Sequence, residues 1–218
     1  MKEYLPLYYV LLALSVFSGC DNQQPHSTAG KDSNSEKQTP GGESLPAKNN
    51  LTSGDRQRWR NIIHWSSDCE EAFNSTMPAD STGIKFYSLA KQRYLVQITC
   101  TLGAYQGYQE YAYLDQSNKP TTVRHLVFQT IEVPANGHII NQHTEQLWGL
   151  AEFDSQKKRL SLFNRFRGMG DCGFLASYAF VNGSPELVEI RAKLSCDGHG
   201  PYDPNQWKLL EILNQDPD

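Results

Sequence analysis

The spacing of hydrophobic and polar positions changes several times along this chain, and each change marks an element. Leu5 to Phe17 (LPLYYVLLALSVF) is an unbroken apolar run closed by Ser18-Gly19-Cys20. Asp21 to Asn50 is polar, with Ser, Pro and Gly and almost no large apolar residue. Between Gly54 and Phe73, apolar residues return at helical spacing: Trp59, Ile62, Ile63, then Trp65, Cys69, Ala72 and Phe73. Ser67 and Glu70 are placed as a capping box that starts a second short helix. Alternation then takes over. Tyr94, Val96, Ile98 and Cys100 fall on one side of a strand, and Leu95, Gln97, Thr99 and Thr101 on the other. Further strands are predicted at 84–90, 108–114, 122–131, 147–153 and 159–166, divided by turn clusters such as 115–120 (DQSNKP) and Asn136-Gly137. Near the end, Asp203-Pro204 with Gln206 suggests a helix start, whereas Trp207, Leu209, Glu211 and Leu213 alternate as a strand would; both readings stand. The order of elements predicts an α+β fold, with one or two short N-terminal helices followed by a mainly antiparallel sheet.

Segments 172–181 and 187–196 should pair as a hairpin around NGSPE. Asn182-Gly183 alone invites a two-residue turn, but that turn sets Phe180 against Pro185 and Tyr178 against Leu187. The apolar set of one strand would then meet the charged set of the other. A five-residue loop, 182–186, instead puts Phe174, Ala176, Tyr178 and Phe180 on one face with Val188, Ile190, Ala192 and Leu194. Because a one-residue slip turns a strand's buried set outward, this second register is the expected one. It also sets Cys172 directly opposite Cys196, at a separation a disulfide can bridge.

The apolar run at residues 5–17 is short of the roughly 20 residues of a membrane-crossing helix and suits a signal-peptide core. Small residues just before Cys20 resemble the bacterial lipobox, which implies cleavage before Cys20 and a lipid on its sulfur. Phe17 stands where that motif usually has Leu, and Lys2 is offset by Glu3, so an ordinary secretory signal or an uncleaved anchor is the competing reading. Asp21 resembles the inner-membrane retention signal, so the periplasmic face of the inner membrane is the expected location, ahead of the outer membrane. The polar segment cannot bury enough surface to offset its chain entropy and should be a tether with a reach of roughly 30 Å. The expected organisation is a signal at 1–19, lipidated Cys20 and tether to 52, and one extracytoplasmic domain at 53–218.

Composition narrows the function. Of 218 residues, 20 are Lys or Arg and 24 Asp or Glu, for a net charge of −4. An acidic chain without a basic run is a poor nucleic-acid binder, since that affinity comes from neutralised phosphates. The mean hydropathy of −0.57 excludes a polytopic membrane protein. Of five cysteines, Cys20 goes to lipid, which leaves Cys69, Cys100, Cys172 and Cys196 for an exported domain. Cys172–Cys196 follows from the hairpin register and Cys69–Cys100 by elimination. There is no C-x-x-C pair of the redox type.

The cysteine-flanking segments carry a resemblance. Arg165-Phe166-Arg167-Gly168-Met169-Gly170-Asp171-Cys172-Gly173, then Leu187-Val188-Glu189-Ile190-Arg191-Ala192 and Cys196-Asp197-Gly198, resemble the DUF1176 family of bacterial exported proteins. That family typically reads K-G-R-G-L-G-D-C-G followed by L-V-E-x-R-x-M-x-x-C-x-G. Cys100-Thr101-Leu102-Gly103-Ala104-Tyr105-Gln106 looks like its C-W-x-G-A-Y-N. The departures are Phe166, Met169, Thr101 and Gln106. The resemblance covers about residues 65–210 and implies export and a fold, without an activity.

Candidate chemistry clusters near these motifs. Arg165, Arg167 and Asp171, among glycines 168, 170 and 173, could form an anion-binding nest; the alternative is a bulged strand end in which Arg167 pairs with Asp171. His199 could join Asp197 on a metal, but no second His is suitably spaced, and a turn histidine is the expected reading. Tyr105, Tyr108, Tyr111 and Tyr113 could be a stacking platform, or could divide between core and surface. No G-x-S-x-G, H-E-x-x-H or P-loop is present. The expectation is a lipid-anchored envelope protein that binds an envelope protein or peptidoglycan, with no catalytic residues, metal, cofactor or nucleic acid. An envelope enzyme acting on cell-wall or small anionic substrates through Arg167, Asp171 and His199 is the alternative, and a lysozyme inhibitor a third.

Overall fold

In the computed structural model, residues 45–134 and 138–211 are described. The apolar run, Cys20, the polar segment to residue 44 and the Asn136-Gly137 turn lie outside the described residues. Two helices come first, α1 (Ser53–Ile63) and α2 (Ser67–Thr76). Strands follow: β1 (Ile84–Ala90), β2 (Arg93–Leu102), β3 (Gly107–Asp115), β4 (Thr122–His125), β5 (Phe128–Glu132), β6 (Ile140–Thr144), β7 (Gln146–Asp154), β8 (Arg159–Arg165), β9 (Gly173–Val181), β10 (Ser184–Lys193) and β11 (Lys208–Leu209). The main sheet runs β1-β2-β3-β7-β8-β9-β10-β11, and β5 pairs with β6 apart from it. Every pairing is antiparallel, as the α+β expectation has it. The outer edge of β3 is shared: residues 107–110 pair with β7 and 112–115 with β4.

All of β3 from Gly107 to Leu114 is buried, so the strand needs a cover on each face. On one face Tyr108, Ala112 and Leu114 join Val96, Ile98 and Cys100 of β2 beneath Trp59, Ile63, Trp65 and Cys69 of the helical segment. On the other, Tyr111 and Tyr113 join Leu95 against Phe128, Leu147, Leu160, Phe174, Tyr178 and Ile190. The sheet curls to supply that second cover. Tyr87 of β1 stacks on Phe153 of β7 at 4.7 Å, and Lys158 in the β7–β8 turn donates to the Ser88 carbonyl at 2.7 Å, although two strands intervene. Each large side chain so buried contributes roughly 1.5–3 kcal/mol.

The helices are fixed to the sheet by Arg56. Its Nε and Nη2 donate to Glu70 Oε2 at 2.9 and 2.8 Å, and its Nη1 to the Thr82 carbonyl at 2.9 Å. The guanidinium lies 3.4 Å from the Phe73 ring centre, and the Trp65 indole N–H also donates to Glu70. The disulfide Cys69–Cys100 adds a covalent tie between α2 and β2, and Cys172–Cys196 a second tie at the far end of the sheet. In the chain-entropy picture each closed loop is worth about 3.5 kcal/mol.

Several expectations are corrected. The capping box at Ser67 and Glu70 does not form: Ser66 caps α2, accepting from the Cys69 N–H at 3.0 Å, and Glu70 turns inward to Arg56. The box sits on α1 instead, where the Thr52 N–H donates to Asp55 at 2.9 Å. Segment 122–131 splits into β4 and β5 at Leu126 and Val127, because Leu126 turns into the core and the chain leaves β3 there. Strand β6 has no predicted counterpart; its INQHT is polar and carries no alternation. The ambiguous C-terminal segment holds a 3-10 turn at Pro204–Gln206 and a two-residue strand, β11, in place of a helix or an alternating strand, and Leu213 lies outside the described residues.

The hairpin register is the sharpest correction. Asn182 (φ 51°) and Gly183 (φ 78°) form the two-residue turn, so Phe180 faces Pro185 and Tyr178 faces Leu187. A bulge at Val188 then slips the pairing by one, and Ile190 meets Ala176 and Ala192 meets Phe174. Val188 is exposed, and Leu187 takes its place against the core. Pairing ends at Gly173–Lys193, so Cys196 is not directly opposite Cys172; it reaches back from beyond the ladder across a Cα separation of 5.0 Å. The predicted bond forms by a different route.

Removing Arg56 would leave Glu70 buried without its cation. Arg56→Ala should lower the unfolding free energy by about 3–5 kcal/mol, and pairing Arg56→Met with Glu70→Leu should recover most of the loss. Urea titrations of both variants check this, and equal losses in the two would contradict it.

Candidate functional site

Three loops meet at one end of the sheet. The first is the β2–β3 turn, closed by Gly103 N–H donating to the Gln106 carbonyl at 3.0 Å. Gly107 admits no side chain, since a Cβ would stand 1.9 Å from the Thr101 carbonyl oxygen. The second is the 165–173 segment between β8 and β9. The third is the 194–203 segment after β10. The Gln106 side chain joins the first two: its Oε1 accepts from the Arg165 N–H at 2.8 Å and its Nε2 donates to the Arg165 carbonyl at 3.3 Å. The Tyr105 ring lies against Gly168 so closely that a Cβ there would come within 2.7 Å of it.

Arg167 and Asp171 join the second loop to the third. The guanidinium binds the carboxylate with two bonds, Nε at 2.7 Å and Nη2 at 2.6 Å, and the Gly198 N–H donates to the same carboxylate at 2.9 Å. Asp171 is fully buried, and the Arg167 bonds, helped by Gly198, hold its pKa down to about 2. Cys172–Cys196 runs beside this clamp. Asp197 accepts from the His199 N–H, Lys193 and Ser195, which hold its carboxyl well below the ordinary range. His199 is used here through its backbone, in the turn reading, and its side chain is exposed.

The structure therefore brings Tyr105, Arg165, Arg167 and Asp171 together, with the backbone of His199 close behind. It does not assemble the tyrosines. Tyr108 faces the helices and stacks on Trp148 at 4.7 Å, while Tyr111 and Tyr113 face the opposite core; only Tyr105 reaches the loop end. Among the described residues, the one set of close-spaced metal-ligand types is Cys69, Cys100 and Glu110, whose two sulfurs are already joined to each other.

The family model described as a protein of unknown function, DUF1176, matches residues 22–212. The chain belongs to the DUF1176 family. No curated protein and no solved structure matches it. In this DUF1176 chain both signature segments end in the same place. The residues that carry the resemblance, 100–106 and 165–173, build the loop end, and 196–198 back it.

Beside Tyr105, which the sequence singled out, sequence reasoning missed three exposed side chains there, Leu102, Phe166 and Met169. Leu102 is 58%, Tyr105 62%, Met169 68% and Phe166 37% exposed, and all four lie on the two loops joined by Gln106. Two of them, Phe166 and Met169, are departures from the family pattern, and that was the available signal. Gln106 was also undervalued: its amide spans both backbone groups of Arg165.

The clamp predicts a titration. Because the Asp171 carboxyl is depressed when folded, its contribution to stability is present above an unfolded carboxyl's pKa near 4 and is lost as pH falls toward about 2. In Arg167→Gln, the Asp171 carboxyl should titrate at a higher pH, nearer the ordinary value. A carboxyl-carbon NMR titration reads it, and an unmoved midpoint would show that Arg167 is not the cause.

Proposed function

We propose that this DUF1176 protein is a binding module of the bacterial envelope, held there by a lipid on Cys20, and that the loop end is its contact surface. One observation carries the reading. Gln106, Arg167 and Asp171 are spent on holding the loops, while large apolar side chains are left facing solvent. Arg167 and Asp171 satisfy each other, which leaves neither poised as a general acid or base. Gln106 is spent on the Arg165 backbone. Rigid loops presenting aromatic and aliphatic groups are the usual form of a recognition surface.

The anchor is supported by the lipobox-like Ser18-Gly19-Cys20 behind a short apolar run. A tether of the composition of residues 21–44 would let the domain sample surfaces a few nanometres from the membrane. Two disulfides in the folded domain fit an oxidising compartment.

Metabolic labelling with palmitate tests the anchor. Label should enter the intact chain and be absent from Cys20→Ala; label that persists in Cys20→Ala overturns the anchoring.

A further inference from the structure

We propose that the free edge of β1 is a second binding site, which takes an extended, acidic segment of a partner protein as an added strand. The inference goes beyond the loop end and uses neither it nor the lipid on Cys20. Strand β1 ends the order of the main sheet, so only β2 pairs with it. The Thr99 N–H donates to the Gly83 carbonyl at 2.7 Å, and in the same register Lys85 faces Gln97 and Tyr87 faces Leu95. Bonding residues alternate along an antiparallel pair, so the backbone groups of Ile84, Phe86 and Ser88 point away from β2. Lys158 agrees with this direction, since its Nζ reaches the Ser88 carbonyl from the β7–β8 turn. The N–H and C=O groups of Ile84 and Phe86 have no partner among the described residues. Such a row of unpaired donors and acceptors is a template for another strand.

A groove of about 350 Å³ runs beside this row, and residues 84–87 all line it. Successive side chains of a strand point to opposite faces, so a groove that meets four in a row follows the strand's edge. Lys48 and Leu51 stand on its far wall, and among the described residues no backbone bond joins that wall to β1. Charge selects the occupant. Lys48 lies 4.9 Å from the centre of the Tyr94 ring, on the face of Phe86, and Lys85 projects exposed from the other face. Neither forms an ion pair among the described residues. Segments 45–52 and 80–91 carry Lys48, Lys85 and Lys91 against a single carboxylate, Asp80. The flanking carboxylates do not reverse this balance. Asp55 is bound by Thr52 and Arg58, Asp115 by Arg93, and Asp154 by Lys157, while Lys158 adds a cation at Ser88. An incoming strand thus meets a lysine on each of its faces, which favours carboxylates on both and repels a basic segment.

The test uses the full chain, exported so that the disulfides form and purified in detergent. The probe is the acetylated peptide Val-Glu-Glu-Val-Glu-Glu, with Val-Lys-Lys-Val-Lys-Lys and a fully N-methylated copy of the acidic peptide as controls. The acidic peptide should bind, more weakly as salt rises, and the controls should not. In its presence, hydrogen exchange at the Ile84 and Phe86 amides should slow about tenfold or more, while the inward-facing Lys85 and Tyr87 amides keep the protection they already have. Lys48→Glu combined with Lys85→Glu should weaken the acidic peptide about tenfold, and a melting curve matching the parent shows that this variant folds. No binding of the acidic peptide, equal binding of the lysine peptide, or binding that leaves exchange at Ile84 and Phe86 unchanged overturns the proposal. Protection of those two amides in the free chain that is lost on deleting residues 21–44 would assign the edge to the chain's own N-terminal segment, and also overturns it. Palmitate labelling of Cys20 is read separately, so failure of the anchor and failure of the edge site are distinguishable.

Discussion

Burial of β3 on both faces is the constraint from which the rest of this structure follows. A strand with one wet face can stop at a simple sheet. Here Tyr108, Ala112 and Leu114 require one cover, and Tyr111 and Tyr113 another. Helices α1 and α2 supply the first, fixed by the Arg56–Glu70 pair and by Cys69–Cys100. The sheet has to curl over itself to supply the second. That curl brings the β8–β9 connection alongside the β2–β3 turn, and so creates the loop end.

The loop end is held by polar groups and leaves its apolar groups free, the inverse of an ordinary fold. Burying an ionised Asp171 would be costly alone, but two charge-assisted bonds from Arg167 and one from the Gly198 N–H satisfy it. Gln106 acts like a missing strand residue, pairing with the backbone of Arg165 where the sheet has ended. With the backbone so restrained, Tyr105 and Met169 can stay exposed without the loops collapsing onto them. The ordering cost that weakens binding by flexible loops has already been met.

Much of the fold was legible in the sequence, because spacing reports burial directly. The two helices, the α+β order and most strands follow from alternation and helical spacing; both expected disulfides form, Cys172–Cys196 from a register other than the expected one. The failures have physical causes. Strand β6 has Ile140 as its one apolar residue, and that residue is exposed, so periodicity has nothing to register. The β9–β10 register was read as if a strand must be regular, whereas Val188 bulges out and lets the Asn182-Gly183 turn and the apolar face coexist. At the loop end, the Arg167–Asp171 pairing was legible as one alternative from an i,i+4 spacing. The exposure of Leu102 and Met169 was not, because apolar residues in a sequence read as core until the topology shows that nothing covers them.

The working surface proposed for this DUF1176 protein is the loop end built by the β2–β3 and β8–β9 connections. The most direct measurement is photo-crosslinking in living cells, with a diazirine side chain replacing Met169 in one protein and Gln156, in the exposed β7–β8 turn, in another. Adducts to an envelope component are expected at position 169 and none at 156. Adducts at 156 with none at 169 would contradict that.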